Sequence, residues 1–198
     1  MTRRLVLIGA CVWTAMAVAV AQSVRADADR MLTKLVSIAE RSEAAPAITG
    51  TPLRTSFTDR EVNAYFQEHG PAFLPAGVAD PQVIIEDAGR LQARAIVDLD
   101  EALKPGDRSW LDPLAWVGGK VEVTAAGTLQ AAAGRGEFAL ERATLGGVAI
   151  PNTLLQELVT YYSRSPENPT GFNLAEPFEL PARIREVHTR RGAATVVQ

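Results

Sequence analysis

Residues 140–164 read LERATLGGVAIPNTLLQELVTYYSR, and the reading of this stretch decides the fold. A strand runs into Gly146-Gly147, Pro151 precedes a helix start, and Leu154, Leu155, Leu158, Val159 and Tyr162 recur at helical spacing. A glycine pair before a helix invites a phosphate-binding reading. Here Val148-Ala149-Ile150-Pro151 separates the two, and Pro151 lacks the N–H that an anion at a helix start would use. The stretch therefore reads as a hinge between a curved sheet and an apolar helix that begins near Thr153, beside a candidate cap, Asn152.

Upstream of the hinge the pattern has a period of two. Val121, Val123, Ala125, Gly127, Leu129 and Ala131 alternate with mostly polar neighbours, Gly134-Arg135-Gly136 turns the chain, and Phe138 and Leu140 begin the return. The apolar phase then shifts to Ala143 and Leu145, which predicts a bulge near Arg142. Gly127 is a natural bend in so long a strand. Before this hairpin lies another. Val83 and Ile85 lead to a turn at residues 87–90, and Leu91, Ala93, Ala95, Val97 and Leu99 alternate with Arg90, Gln92, Arg94, Asp98 and Asp100. Ile96 is the exception on the polar face. One face is buried and one is wet, as in an antiparallel sheet. The alanines thin the buried face and leave room for a helix or a ligand. Between the hairpins, residues 101–119 form an irregular insertion with Trp110 and Trp116, read first as a plug for the core and second as the mouth of a pocket or a membrane-interface element.

Downstream, residues 163–177 hold Pro166, Pro169, Pro177 and Gly171 and read as an ordered excursion or a mobile loop. Residues 178–187 and 194–197 read as a last hairpin with its turn at residues 190–193. Arg183, Arg185, His188, Arg190 and Arg191 make that end basic, as suits a guarded edge strand.

The N-terminal third is helical. Phe57-Thr58-Asp59-Arg60-Glu61-Val62 predicts a capping box between Thr58 and Glu61 and a hydrophobic staple between Phe57 and Val62. That helix is expected to run to about Glu68, with Val62, Tyr65, Phe66 and His69 on its buried side and Gly70-Pro71 ending it. Asn63 either binds the backbone of a neighbouring segment or faces solvent. Residues 26–41 place Met31, Leu32, Leu35, Ile38 and Ala39 on one side, as in a stalk or packing helix.

Arg3 and Arg4 precede an uncharged stretch, residues 5–21, that ends in Ala19-Val20-Ala21. Two readings stand: a secretory signal peptide cut before Gln22, or a membrane anchor at the short end of spanning length. A lipidation signal at Cys11 is disfavoured, because the following residues stay apolar. The chain is thus expected to divide into a signal or anchor (1–21), an amphipathic helix or stalk (22–45) and one α+β domain (46–198). The whole carries 20 Lys and Arg against 23 Asp and Glu, and losing residues 1–21 would remove two of the basic ones. Such a balance argues against nucleic acid. Cys11 is the only cysteine, so the rest of the chain has no disulfide or thiol chemistry. An export signal on a cysteine-free domain points to the bacterial cell envelope, periplasmic or anchored outside the cytoplasm.

No nucleophile elbow, nucleotide loop or metal-ligand spacing occurs, and His69 and His188 stand alone. The cluster Asp98-Leu99-Asp100-Glu101 lacks the remainder of a calcium loop. A non-enzyme without a cofactor or metal is expected.

The capped helix FT-x-x-E-x-N-x-Y-F at residues 57–66, the break at residues 145–158 and the order of elements over residues 55–198 resemble the tubular lipid-binding (TULIP) superfamily. The resemblance implies a strongly bent antiparallel sheet wrapped around the helix of the C-terminal half, with one or two N-terminal helices, and an apolar groove between helix and sheet. Phe66, Trp110, Trp116, Leu154, Leu155, Leu158 and Tyr162 are the candidates to line it. A helix of twelve residues from Thr153 would span about 18 Å, short for a lipid tunnel, and the tryptophan insertion lies outside the resemblance. The expected function is binding or handling a lipid or other apolar ligand in the envelope. The alternative is a structural or protein-interaction module with a filled core.

Overall fold

The computed structural model describes residues 2–44, 51–98, 119–164 and 168–198. The insertion with Trp110 and Trp116 lies outside the described residues. Helix α1 (Thr2–Glu43) is followed by β1 (Arg54–Thr58), α2 (Asp59–His69) and a 3-10 turn (Gly70–Ala72). Strands β2 (Val78–Ile85), β3 (Arg90–Asp98), β4 (Lys120–Ala132), β5 (Arg135–Leu145) and β6 (Val148–Ile150) lead to α3 (Asn152–Tyr162). The chain ends in β7 (Phe178–Glu179), β8 (Glu186–Arg190) and β9 (Ala193–Val197). The fold is α+β.

Strands β2-β3-β4-β5-β6 form a curved antiparallel sheet, and β7 adds a sixth strand on β5. Its register puts the alternating apolar residues on one face. Ala93 pairs with Val83 and Ala125, Ala95 with Val123, and Val97 with Val78 and Val121. The predicted bulge is present. Ala126 pairs with Arg142 but Gly127 with Leu140, so Glu141 is the extra residue. Gly127 is needed there for space, because a Cβ would meet the carbonyl oxygen of Ala139 at 2.4 Å and the ring of Phe138 at 2.6 Å. Gly146 and Gly147, with φ of 58° and 81°, make a two-residue turn into β6. The hinge therefore contains a short extra strand before the helix, which a three-residue apolar run does not announce.

An asparagine side chain meets exposed strand backbone on each side of this sheet. On β2, the Asn63 amide donates to the Val83 carbonyl at 2.9 Å and accepts from the Val83 N–H at 2.7 Å. On β5, the Asn152 amide donates to the carbonyl of Leu140 at 3.0 Å, between the stretches paired with β6 and β7. Asn152 is thus the first residue of α3 and an edge cover rather than its cap. Such covers blunt strand-to-strand association. Asn63→Ala is expected to destabilise the fold by about 1–2 kcal/mol, since it leaves one donor and one acceptor of β2 unmade. Urea unfolding measures this, and a loss no larger than that of an ordinary surface substitution would contradict it.

A second sheet, in the order β1-β9-β8, joins the two ends of the domain. Ile38 of α1, Phe57 of β1 and Val196 of β9 form its core, with Met31, Val62, Ile184 and Val187 packed around them. The capping box forms: Thr58 Oγ1 accepts from the Glu61 N–H at 3.1 Å, and Glu61 Oε2 accepts from the Thr58 N–H at 2.9 Å. The buried side of α2 is centred on Glu61 and Ala64, and Val62, Tyr65, Phe66 and His69 are only half-buried. The reason is α1, which packs along α2 and takes the side that the apolar stripe alone would not select. Lys34 meets Glu61 while Arg25 meets Glu68, so the two helices run antiparallel. The last hairpin is β8–β9, and Phe178 belongs instead to β7, where it packs on Gly136 of β5.

Candidate functional site

The apolar face of the large sheet is closed at one side and half-open at the other. At β5, against which α3 packs, Ala143 is 3 % and Leu145 9 % exposed, and Leu155 of α3 is 7 % exposed. Across β3 and β4 the same face is not sealed. Leu91, Ala95, Val97, Val121, Val123 and Ala125 are half-buried, and Ala93 is exposed. Among the described residues, no large side chain anywhere is less than 2 % exposed. The floor is shallow because alanines occupy positions 93, 95 and 125, where larger residues would fill the space.

α3 is held in place by its polar side. Gln156 donates to the carbonyl of Phe172 at 3.3 Å and accepts from the Leu174 N–H at 2.8 Å, Thr160 donates to the Phe172 carbonyl at 3.1 Å, and Ser163 Oγ accepts from the Phe172 N–H at 2.6 Å. Gly171, with φ of 76°, passes so close that a Cβ would overlap the Thr160 carbonyl. The described part of the proline-rich excursion is therefore an ordered strap along α3. Phe172 continues into the sheet through an edge-to-face contact with Phe178 at 5.3 Å.

The candidate lining residues separate. Leu154 is half-buried and Leu155 buried on α3. The side chains of Leu158 and Tyr162, like Trp110 and Trp116, lie outside what is described. Phe66 stands at the opposite edge of the sheet. It lines an open cleft of about 520 Å³ between α2, Leu74, and the polar face of β2 and β3, whose floor includes Gln82, Arg94 and Glu122. Arg94 donates to Gln82 Oε1 from Nε at 3.0 Å and to Glu122 Oε2 from Nη1 at 3.4 Å. Phe66 and α3 are thus not brought into one groove, because Asn63 fixes α2 at the edge of β2 rather than over the alanine floor. The described contacts of α3 are to β5 and the strap, so enclosure of the helix by the bent sheet is not what these contacts amount to.

The charged group that sequence reading missed joins α1 to α2. Asp27 and Glu61 are 4 % and 6 % exposed. Arg60 Nε donates to Asp27 Oδ2 at 2.7 Å, Arg30 also pairs with Asp27, and Lys34 Nζ donates to both Glu61 carboxylate oxygens at 2.7 Å. Burial alone pushes the Glu61 carboxyl up. The hydrogen bonds from Lys34 and from Thr58, with the Lys34 charge, outweigh it and hold the group below the ordinary carboxylate range. The available signal was the recurrence of Asp27, Arg30 and Lys34, one acid and two bases, at i, i+3 and i+7 along one helix face. Among the residues whose side chains are described, from Gln22 onward, no helix is long and apolar enough to cross a membrane.

No family model and no curated protein matches this chain. Among solved structures it is similar to a crystal structure of a lipopolysaccharide binding protein, at 14 % identity and a TM-score of 0.21. The match covers 74 % of this chain and 40 % of that one. The chain spans less than half the length of that neighbour, and a likeness of this size establishes neither a shared fold nor a ligand.

Proposed function

We propose that this is a non-enzymatic protein of the cell envelope that holds a lipid or similar apolar ligand against the half-open face of β3 and β4, beside α3. The observation that supports the reading is the strip of Ala93, Ala95, Ala125, Val97, Val121 and Val123, apolar yet incompletely covered on one face of a curved sheet. Burying such a strip is worth about 25 cal/mol per Å² of apolar area, enough to retain an alkyl chain. In this reading Leu154 and Leu155 of α3 flank the strip on its β5 side, and Phe66 lies beyond its far edge. Residues 1–21 export the chain or anchor it outside the cytoplasm, and residues 22–198 work as the body.

The test is mass spectrometry of organic extracts from protein purified out of envelope fractions. Near-stoichiometric lipid is the expected result. An extract free of lipid, with one stoichiometric protein partner in a pull-down, would replace this reading with an interaction module.

A further inference from the structure

We infer that the loop at residues 71–77 seats the domain on a lipid bilayer of neutral headgroups. Pro71-Ala72-Phe73-Leu74-Pro75-Ala76-Gly77 contains no charge and no polar side chain. Phe73 is 52 % exposed, yet it is fixed from below, its ring 5.9 Å from that of Tyr65 and 6.2 Å from that of Phe66. An aromatic ring presented rigidly to solvent suits the interfacial zone of a membrane. The loop backbone is also prepared to leave water. The N–H groups of Phe73 and Leu74 both donate to the Gly70 carbonyl, at 3.0 and 2.8 Å, and the two prolines have no N–H to desolvate.

The bilayer is chosen as occupant because of where the loop lies. Since α1 and α2 are antiparallel and Arg25 lies 3.7 Å from Glu68, the chain immediately before Arg25 runs beside the end of α2 that leads into this loop. From Arg25 to Ala21 is about 6 Å along a helix, so the uncharged residues 5–21 and the loop emerge at the same end of the domain. The end of β3 also lies there, where the Asp98 N–H donates to the Gly77 carbonyl at 2.7 Å. The surrounding charges, Arg25, Glu68, Asp80, Asp98 and Lys120, carry no basic excess, so attraction to anionic lipid is not the driving force. The seat holds whether or not the β3–β4 face carries a ligand.

The experiment uses the full chain with Cys11→Ala and one introduced cysteine, at Ala76 in the loop or at Gln130 on the far side, labelled with an environment-sensitive fluorophore. Each protein is mixed with phosphatidylcholine vesicles containing a lipid-borne quencher. Blue-shifted, quenched emission from position 76 with aqueous emission from position 130 is expected. Emission from 76 as aqueous as from 130 overturns the inference, even if the protein partitions through residues 5–21. Adding Phe73→Asp to the chain labelled at 76 should return its emission to the aqueous value, and unchanged shielding would also overturn it. Mass spectrometry of lipid carried by the same protein purified from envelope fractions reports on the sheet face rather than the loop, so failure of the seat and failure of the groove are told apart.

Discussion

Glu61→Ala is expected to destabilise the protein by about 3 kcal/mol, the usual cost of breaking a buried ion pair from one side. Three losses combine. The capping box loses its return bond to the Thr58 N–H. Lys34, whose side chain is only 30 % exposed, loses both of its short bonds, and Arg30 loses its more distant partner at 3.6 Å. A Lys34 ammonium left without its carboxylate over the Phe57 ring, 5.8 Å from the centroid, has little to replace it. For a body of this size the change corresponds to a fall in Tm of roughly 6–12 °C. It should also free α1 from α2, so limited proteolysis ought to cut within residues 22–43 in the variant before it cuts the sheet. A variant that unfolds at the wild-type urea concentration would show that α1 is not clasped through this carboxylate.

The same group sets an acid limit. Its folded pKa is depressed, so its contribution is fully present above the unfolded value of about 4.3 and is lost as pH falls through the lower folded value. The wild type should therefore lose stability below about pH 4.3 more steeply than Glu61→Gln, which has no proton to take up at this site. Parallel curves for the two proteins would contradict the assignment.

Much of the architecture was legible because its signals are local. The capping box and the staple lie within six residues, and the strands of both hairpins alternate over enough positions to set their register. What was hidden depends on pairs distant in the chain. Asp27 meets Arg60, Asn63 meets Val83, and β1 meets β9 at the other terminus. Within residues 26–41 the spacing of Asp27, Arg30 and Lys34 hints at a charged face, but the partners Arg60 and Glu61 that make it dock on α2 lie 33 and 27 residues away. Likewise Phe66 read as a wall of the groove because it is apolar and on a capped helix. Its place was decided instead by an asparagine three residues earlier, which clamps α2 to a strand edge. The alanines of β3 and β4 did point to thin floor, and that feature survives in the structure as the half-open strip.

That strip supports the second large effect. Ala93→Phe is expected to weaken binding of a fluorescent fatty acid by on the order of a hundredfold, because the ring would displace roughly four methylenes at about 0.8 kcal/mol each. Ala93 is the position to use, since it stands between Val83 and Ala125 in the sheet and its side chain is already exposed. A ring can therefore be added without forcing apart packed neighbours, and the stability should stay within about 0.5 kcal/mol of wild type. Ala143, one strand beyond Ala125, would not serve, because at 3 % exposure a larger side chain there would overpack the contact with α3. The control is Gln130→Phe, which places the same ring on the polar face, where Gln130 is exposed opposite Glu137. Loss of binding in the first variant and wild-type binding in the second would locate the ligand on the alanine side of the sheet. Equal affinities in all three proteins would remove the ligand from that face.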